Sequence, residues 1–134
     1  MSSVFYNKLI RDRIPEKITS QGEACEVRAI TDDEEYQQEL LKKVTEEAAG
    51  LAQARSREDF LREYADLSIV LDALTAHLDF SPADISLALK ESMEKKGGFK
   101  ERLFLHWSDA GTYKSNETPQ GVQTYHGNTL HTSG

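Results

Sequence analysis

The chain has one cysteine, three prolines and one tryptophan, its bases are fewer than its acids, and it holds no long apolar run. Each shortage removes a class of protein. Cys25 alone excludes an intrachain disulfide and a thiolate metal site, and a solitary thiol agrees with a reducing compartment. No apolar stretch approaches the ~18 residues of a membrane span. The residues from Met1 to Phe5 also lack the basic and apolar regions of a secretion signal. A soluble, cytoplasmic protein with no membrane partner is therefore expected. The 16 Lys and Arg stand against 23 Asp and Glu, a formal charge of −7, which leaves no general basic face for a long nucleic acid. At 134 residues the chain is one domain's worth, able to bury roughly two-thirds of its unfolded surface without a disulfide or a structural metal.

What charge there is has been sorted along the chain. Between Asp32 and Asp84 there are fourteen acids and five bases, whereas Lys8–Lys17 and Lys90–Arg102 each come out at +2. The elements follow from local signals. Arg13 to Gly22 reads as a short helix with Pro15 in its first turn and Gly22 as its left-handed end. Cys25 to Ile30 reads as a strand, by an imperfect alternation. Thr31 with Glu34 makes a capping box, and a helix from about Asp32 to Ala54 follows. In it Tyr36, Leu40, Val44, Glu47 and Leu51 recur at helical spacing, so a glutamate stands in the apolar stripe. Ser56 with Asp59 starts the next helix, to Leu78, which is apolar on nearly every side: Phe60, Leu61, Tyr64, Ile69, Val70, Leu71, Leu74. Such a helix should be buried centrally, in a subunit interface, or both. Ser81-Pro82 opens a last helix that ends near Gly97-Gly98. Residues 1–107 form the expected domain. Ser108 to Gly134 holds half of the eight glycines and only Val122 and Leu130 as larger aliphatics, which predicts a flexible or surface-draped tail.

Chemistry is concentrated in three places. Glu46-Glu47 lies on one helix and Glu63 with Asp66 on the next, the last two on one face by their spacing. Carboxylates gathered at an apolar interface repel and lose hydration unless a cation, protons or basic side chains compensate. Hard oxygen donors suit Mg²⁺ or Mn²⁺. The alternative is that they are ordinary solvated acids, and spacing alone leaves both open. The arm Asn7-Lys8-Leu9-Ile10-Arg11-Asp12-Arg13-Ile14-Pro15 is a candidate for neutralising a polyphosphate. So is the cluster Lys90, Lys95, Lys96, Lys100 and Arg102, although bases at a helix end are favoured by its dipole in any case. His77 has no second histidine at ligand spacing and reads as packing.

Taken in order, the Asn7–Pro15 run, Asp32-Asp33-Glu34-Glu35-Tyr36, Glu46-Glu47, Glu63-x-x-Asp66 and Lys95-Lys96-Gly97-Gly98-Phe99 resemble the MazG-like all-α nucleoside triphosphate pyrophosphohydrolase superfamily. The branch most resembled is that of the phosphoribosyl-ATP pyrophosphohydrolase-like house-cleaning proteins. The likeness covers about Tyr6 to Leu105. It implies an all-α helical bundle with a short amino-terminal arm, assembled as a homodimer or homotetramer. It also implies Mg²⁺-dependent (or Mn²⁺-dependent) cleavage of a nucleoside triphosphate, noncanonical ones included, to a monophosphate and pyrophosphate. Carried over residue by residue, Glu47, Glu63 and Asp66 would hold metal and Glu46 and Glu47 would act in catalysis. Lys8, Arg11, Arg13, Lys95, Lys96 and Lys100 would bind the phosphates, and Tyr64 and Phe99 are candidates for a base, Tyr64 being equally a core candidate. The family pattern has a third glutamate where this chain has Gly50. That departure implies weaker metal binding or fewer ions, and it keeps alive the alternative of an impaired member that binds a nucleotide or a protein partner without turnover.

Overall fold

The computed structural model describes residues 2–109, together with the backbone of two short strands at 123–126 and 129–132. The chain divides into two compact units, Met1–Lys95 and Lys96–Gly134. The first unit is all-helical, and no helix among the described residues is long and apolar enough to cross a membrane.

Helix α1 spans Ile14–Ser20 with Pro15 in its first turn. It ends as its sequence predicts: Gly22 takes φ +78°, and the amides of Gly22 and Glu23 reach the carbonyls of Thr19 and Ile18. Helix α2 spans Asp33–Ala52 and helix α3 spans Arg57–His77. The cap of α2 falls one residue later than the Thr31 box expects, because the Asp32 carboxylate accepts from the Glu35 amide at 2.8 Å. An aspartate is at least as good an acceptor there as threonine. The start of α3 is as expected, with the Ser56 hydroxyl accepting from the Asp59 amide at 3.0 Å. Helix α4, Pro82–Lys96, opens on a reciprocal pair: the Asp84 amide donates to the Ser81 hydroxyl at 3.1 Å, and the Ser81 amide donates to the Asp84 carboxylate at 2.8 Å.

The strand expected at Cys25–Ile30 does not form. A strand needs a ladder partner, and the described residues of the first unit supply none. The segment has no regular secondary structure and is tied to α2 by a two-pronged pair from the Arg28 guanidinium to the Glu35 carboxylate, at 3.2 and 2.5 Å.

Packing is carried by α2 against α3. Leu40, Val70 and Leu74 are the buried apolar residues, with Leu9, Tyr36, Val44 and Ala73 packed around them. Tyr36, Leu40 and Val44 are successive turns of one stripe on α2, and Val70 and Leu74 are their counterparts on α3. His77 meets Tyr36 edge to face, ring centroids 5.1 Å apart, which is the packing role expected of it. Central burial of α3 is not observed: Phe60, Leu61, Tyr64, Ile69 and Leu71 are exposed. One helical neighbour covers one stripe, so an all-round apolar helix with α2 as the helix packed along it keeps its other faces open. Every residue of α4 is exposed as well, including Leu87, Leu89 and Met93.

In the second unit, Gln123–His126 and Thr129–Thr132 pair as an antiparallel hairpin, with Tyr125 opposite Leu130. Of the expected tail, residues 110–122, 127–128 and 133–134 lie outside the described residues.

So small a core makes its members individually important. Leu40→Ala should lower the free energy of unfolding by about 2–5 kcal/mol, read from urea transitions. Val27→Ala, at an exposed position of the irregular segment before α2, should change it by less than about 0.5 kcal/mol.

Candidate metal centre

The stripe that forms the core continues one turn further toward the α2–α3 connection, and there its chemistry changes. On α2 Glu47 follows Val44 at i+3, and on α3 Asp66 precedes Val70 at i−4 with Glu63 one turn beyond it. Antiparallel packing therefore sets acids opposite acids. Glu47, Glu63 and Asp66 each offer a carboxylate oxygen within 4.8 Å of the other two, and all three side chains are half-buried.

Two oxygens on opposite sides of one Mg²⁺ stand about 4.2 Å apart, twice the usual Mg–O length. Side-chain rotations of under about an ångström therefore suffice to bring this trio onto one ion. The donors are all hard oxygens, which selects Mg²⁺, Mn²⁺ or Ca²⁺ over softer metals. The backbone also makes room: a Cβ placed on Gly50 would stand 2.6 Å from Glu63 Oε2 and 3.0 Å from its Cδ. The residues present fit a divalent cation.

The amino-terminal arm supplies the opposing charge. Lys8 Nζ lies 2.8 Å from Glu46, and the Arg11 guanidinium lies 3.4 Å from Asp66. Lys43 reaches the other oxygen of Glu46 at 3.1 Å. Lys43 went unnoticed in the sequence, although its place one turn before Glu46 is the spacing at which such pairs form. Hydrogen bonds from Lys8 and Lys43 hold the Glu46 carboxyl below its ordinary pKa, and the same contact raises that of Lys8. Among the described residues Glu47 and Glu63 have no ion pair. Burial, and after it the nearby Asp66 charge, pushes the Glu47 carboxyl above its ordinary pKa. The two neighbouring glutamates are thus in opposite environments.

The remaining expected residues are less gathered. Arg13 lines an open concavity beside α1 with Arg11, Glu16 and Lys17. Lys95 stands in the last turn of α4, while Lys96, Phe99 and Lys100 belong to the second unit. Tyr64 is not core: it is exposed and stacks on Phe60 at 6.2 Å. No known protein family matches the chain, and neither does any curated protein or solved structure.

The raised pKa of Glu47 carries a sign for stability. A carboxyl that binds its proton more tightly folded than unfolded destabilises the fold at every pH above its folded pKa, and that penalty fades as the pH falls through the folded value toward the unfolded one. Glu47→Gln should therefore make the metal-free protein more resistant to urea at pH 7, and the gain should vanish near pH 4. An equal gain at both pH values would mean that charge is not its cause.

Proposed function

We propose that the protein is a divalent-metal-dependent nucleotide pyrophosphohydrolase, which cleaves a nucleoside triphosphate or a related nucleotide between its α and β phosphates. The observation that carries this reading is the meeting of Glu47, Glu63 and Asp66 from two helices, with Lys8 of the arm laid against the neighbouring Glu46 and Arg11 against Asp66 itself. A binding site for phosphate and cation together needs both signs of charge within a few ångströms, and here they arrive from separate segments of the chain. The order of motifs along the sequence supports the same reading.

Glu47, Glu63 and Asp66 would hold Mg²⁺ or Mn²⁺, which polarises phosphoryl oxygens and lowers the pKa of water when bound. Lys8 and Arg11, released from Glu46 and Asp66 as the cation takes up acidic charge, would turn to the phosphate chain, with Arg13 beside them. Lys95, Lys96 and Lys100 are the further phosphate contacts on this reading. Glu46, whose proton affinity is lowered by two lysines, is better suited to orienting the attacking water than to keeping its proton. Water attacks the α phosphorus, the bond to the bridging oxygen breaks, and pyrophosphate leaves with that oxygen.

The exposed apolar faces of α3 and α4 are assigned to a second copy of the chain, giving the homodimer or homotetramer that the motif order implies. Leu61, Leu87 and Leu89 on these faces are all more than half exposed, and apolar surface of this extent marks an interface.

Purified protein incubated with a panel of canonical and base-modified nucleoside triphosphates and Mg²⁺ or Mn²⁺ should release pyrophosphate and a monophosphate from at least one of them. Glu63→Gln should reduce that rate by about 100-fold or more, at least the upper end of what outer-shell partners of a metal cost. Nucleotide binding without pyrophosphate from any substrate would identify a binder instead of an enzyme. Sedimentation should show a dimer or tetramer, and the double variant Leu61→Asp/Leu89→Asp should sediment as a monomer. A monomeric parent protein would sink the assembly.

A further inference from the structure

We infer that Gly50 is a positioning residue for Glu63: the missing side chain opens the space into which the Glu63 carboxylate folds, and so fixes that carboxylate beside Glu47 and Asp66. The inference rests on the metal reading above and deepens it.

Glycine is among the least favourable residues inside a helix, yet Gly50 lies within α2, two residues before its end at Ala52. Its backbone does not require it. The glycines in the left-handed region are Gly22 and Gly97, and Gly50 is not one of them. What remains is space. A Cβ at this position would lie 2.6 Å from Glu63 Oε2, 3.0 Å from Cδ and 3.4 Å from Oε1, so the whole carboxylate group of Glu63 faces the glycine. Nothing comparable surrounds the other two, whose added Cβ atoms would meet open space.

The nature of the obstacle decides what a substitution does. The atoms in the way belong to the far end of a flexible side chain, and it is the side chain that yields. A methyl group at position 50 would leave the helix intact and better favoured, while Glu63 rotates away. Carboxylates serving one ion must be held to about half an ångström, and relief of a 2.6 Å contact moves Glu63 by more than that. Position 50 is thus a site where stability and metal affinity change in opposite directions. The absent third glutamate of the family pattern becomes a consequence of the same geometry, because any side chain there starts in the volume that Glu63 uses.

The probe is Mn²⁺ alone, titrated by calorimetry into the full-length protein, with urea unfolding of the metal-free form alongside. Gly50→Ala should raise the urea midpoint and weaken Mn²⁺ binding by about 10-fold or more, as loss of a ligand-orienting contact does. Gly50→Glu should weaken binding too, although it adds a carboxylate. Against a Glu63→Gln background, Gly50→Ala should have no further effect on Mn²⁺, since its action runs through Glu63. Unchanged or tighter binding in Gly50→Ala or Gly50→Glu overturns the inference. If the parent protein binds no Mn²⁺, it is the metal reading that falls. The positioning is then decided by the Glu63 carboxyl-carbon resonance of metal-free protein: a shift in Gly50→Ala upholds it, and an unmoved resonance overturns it.

Discussion

The antiparallel register of α2 on α3 is the constraint on which the rest depends. Apolar side chains at helical spacing, Tyr36, Leu40 and Val44 on one helix and Val70 and Leu74 on the other, lock the two helices at one offset. Once that offset is set, nothing further is needed to bring Glu47 opposite Asp66 and Glu63, because they occupy the next turns of the same stripes. The packed end of the seam holds the acidic end in place. Left to themselves the carboxylates would separate, since their charges repel and Glu47 is already disfavoured as an anion by partial burial.

That repulsion is answered in two layers. The arm places Lys8 on Glu46, beside the cluster, and Arg11 on Asp66, one of its three acids. Both pairs are well exposed, so each adds little to stability, about 0–1 kcal/mol. Their weakness suits a site whose cations must exchange one anionic partner for another. Glu47 and Glu63 have no ion pair among the described residues, which leaves their carboxylates free to take up an added cation. The net charge of −7, which argues against long nucleic acids, does not argue against a short polyphosphate brought in with its own metal.

Much of this was legible in the sequence because it is written in local signals. The starts of α3 and α4 follow from Ser56 with Asp59 and from Ser81 with Asp84, and the end of α1 follows from Gly22. The acids themselves could be picked out, since a glutamate in an apolar stripe is conspicuous. What could not be read depends on partners distant in sequence. Cys25–Ile30 has strand-forming residues, but strands exist only in pairs, and no pairing partner for it is found among the described residues. The all-round apolar character of α3 predicts burial centrally, in a subunit interface, or both, whereas burial within the chain is set by how many neighbours arrive, and α2 is the helix that packs along it. The pairing of Lys8 with Glu46 joins positions 38 residues apart, which no local signal announces.

Gly50 shows the limit most sharply. In the sequence it is a vacancy in a pattern, and a vacancy is naturally read as loss. In three dimensions the volume that a side chain would fill is already taken by the carboxylate of Glu63, thirteen positions further along the chain. A third glutamate on α2 and Glu63 in its present rotamer would compete for one region of space, so the two arrangements are alternatives and not a complete and a damaged version of one. The absence of a carboxylate at position 50 also lowers the repulsion that the seam must bear, in a site where burial already disfavours Glu47 as an anion. The glycine therefore costs the helix some propensity and relieves the cluster of a charge. On the proposed reading the metal keeps three ligands, drawn from two helices whose relative position is fixed by the core beside them.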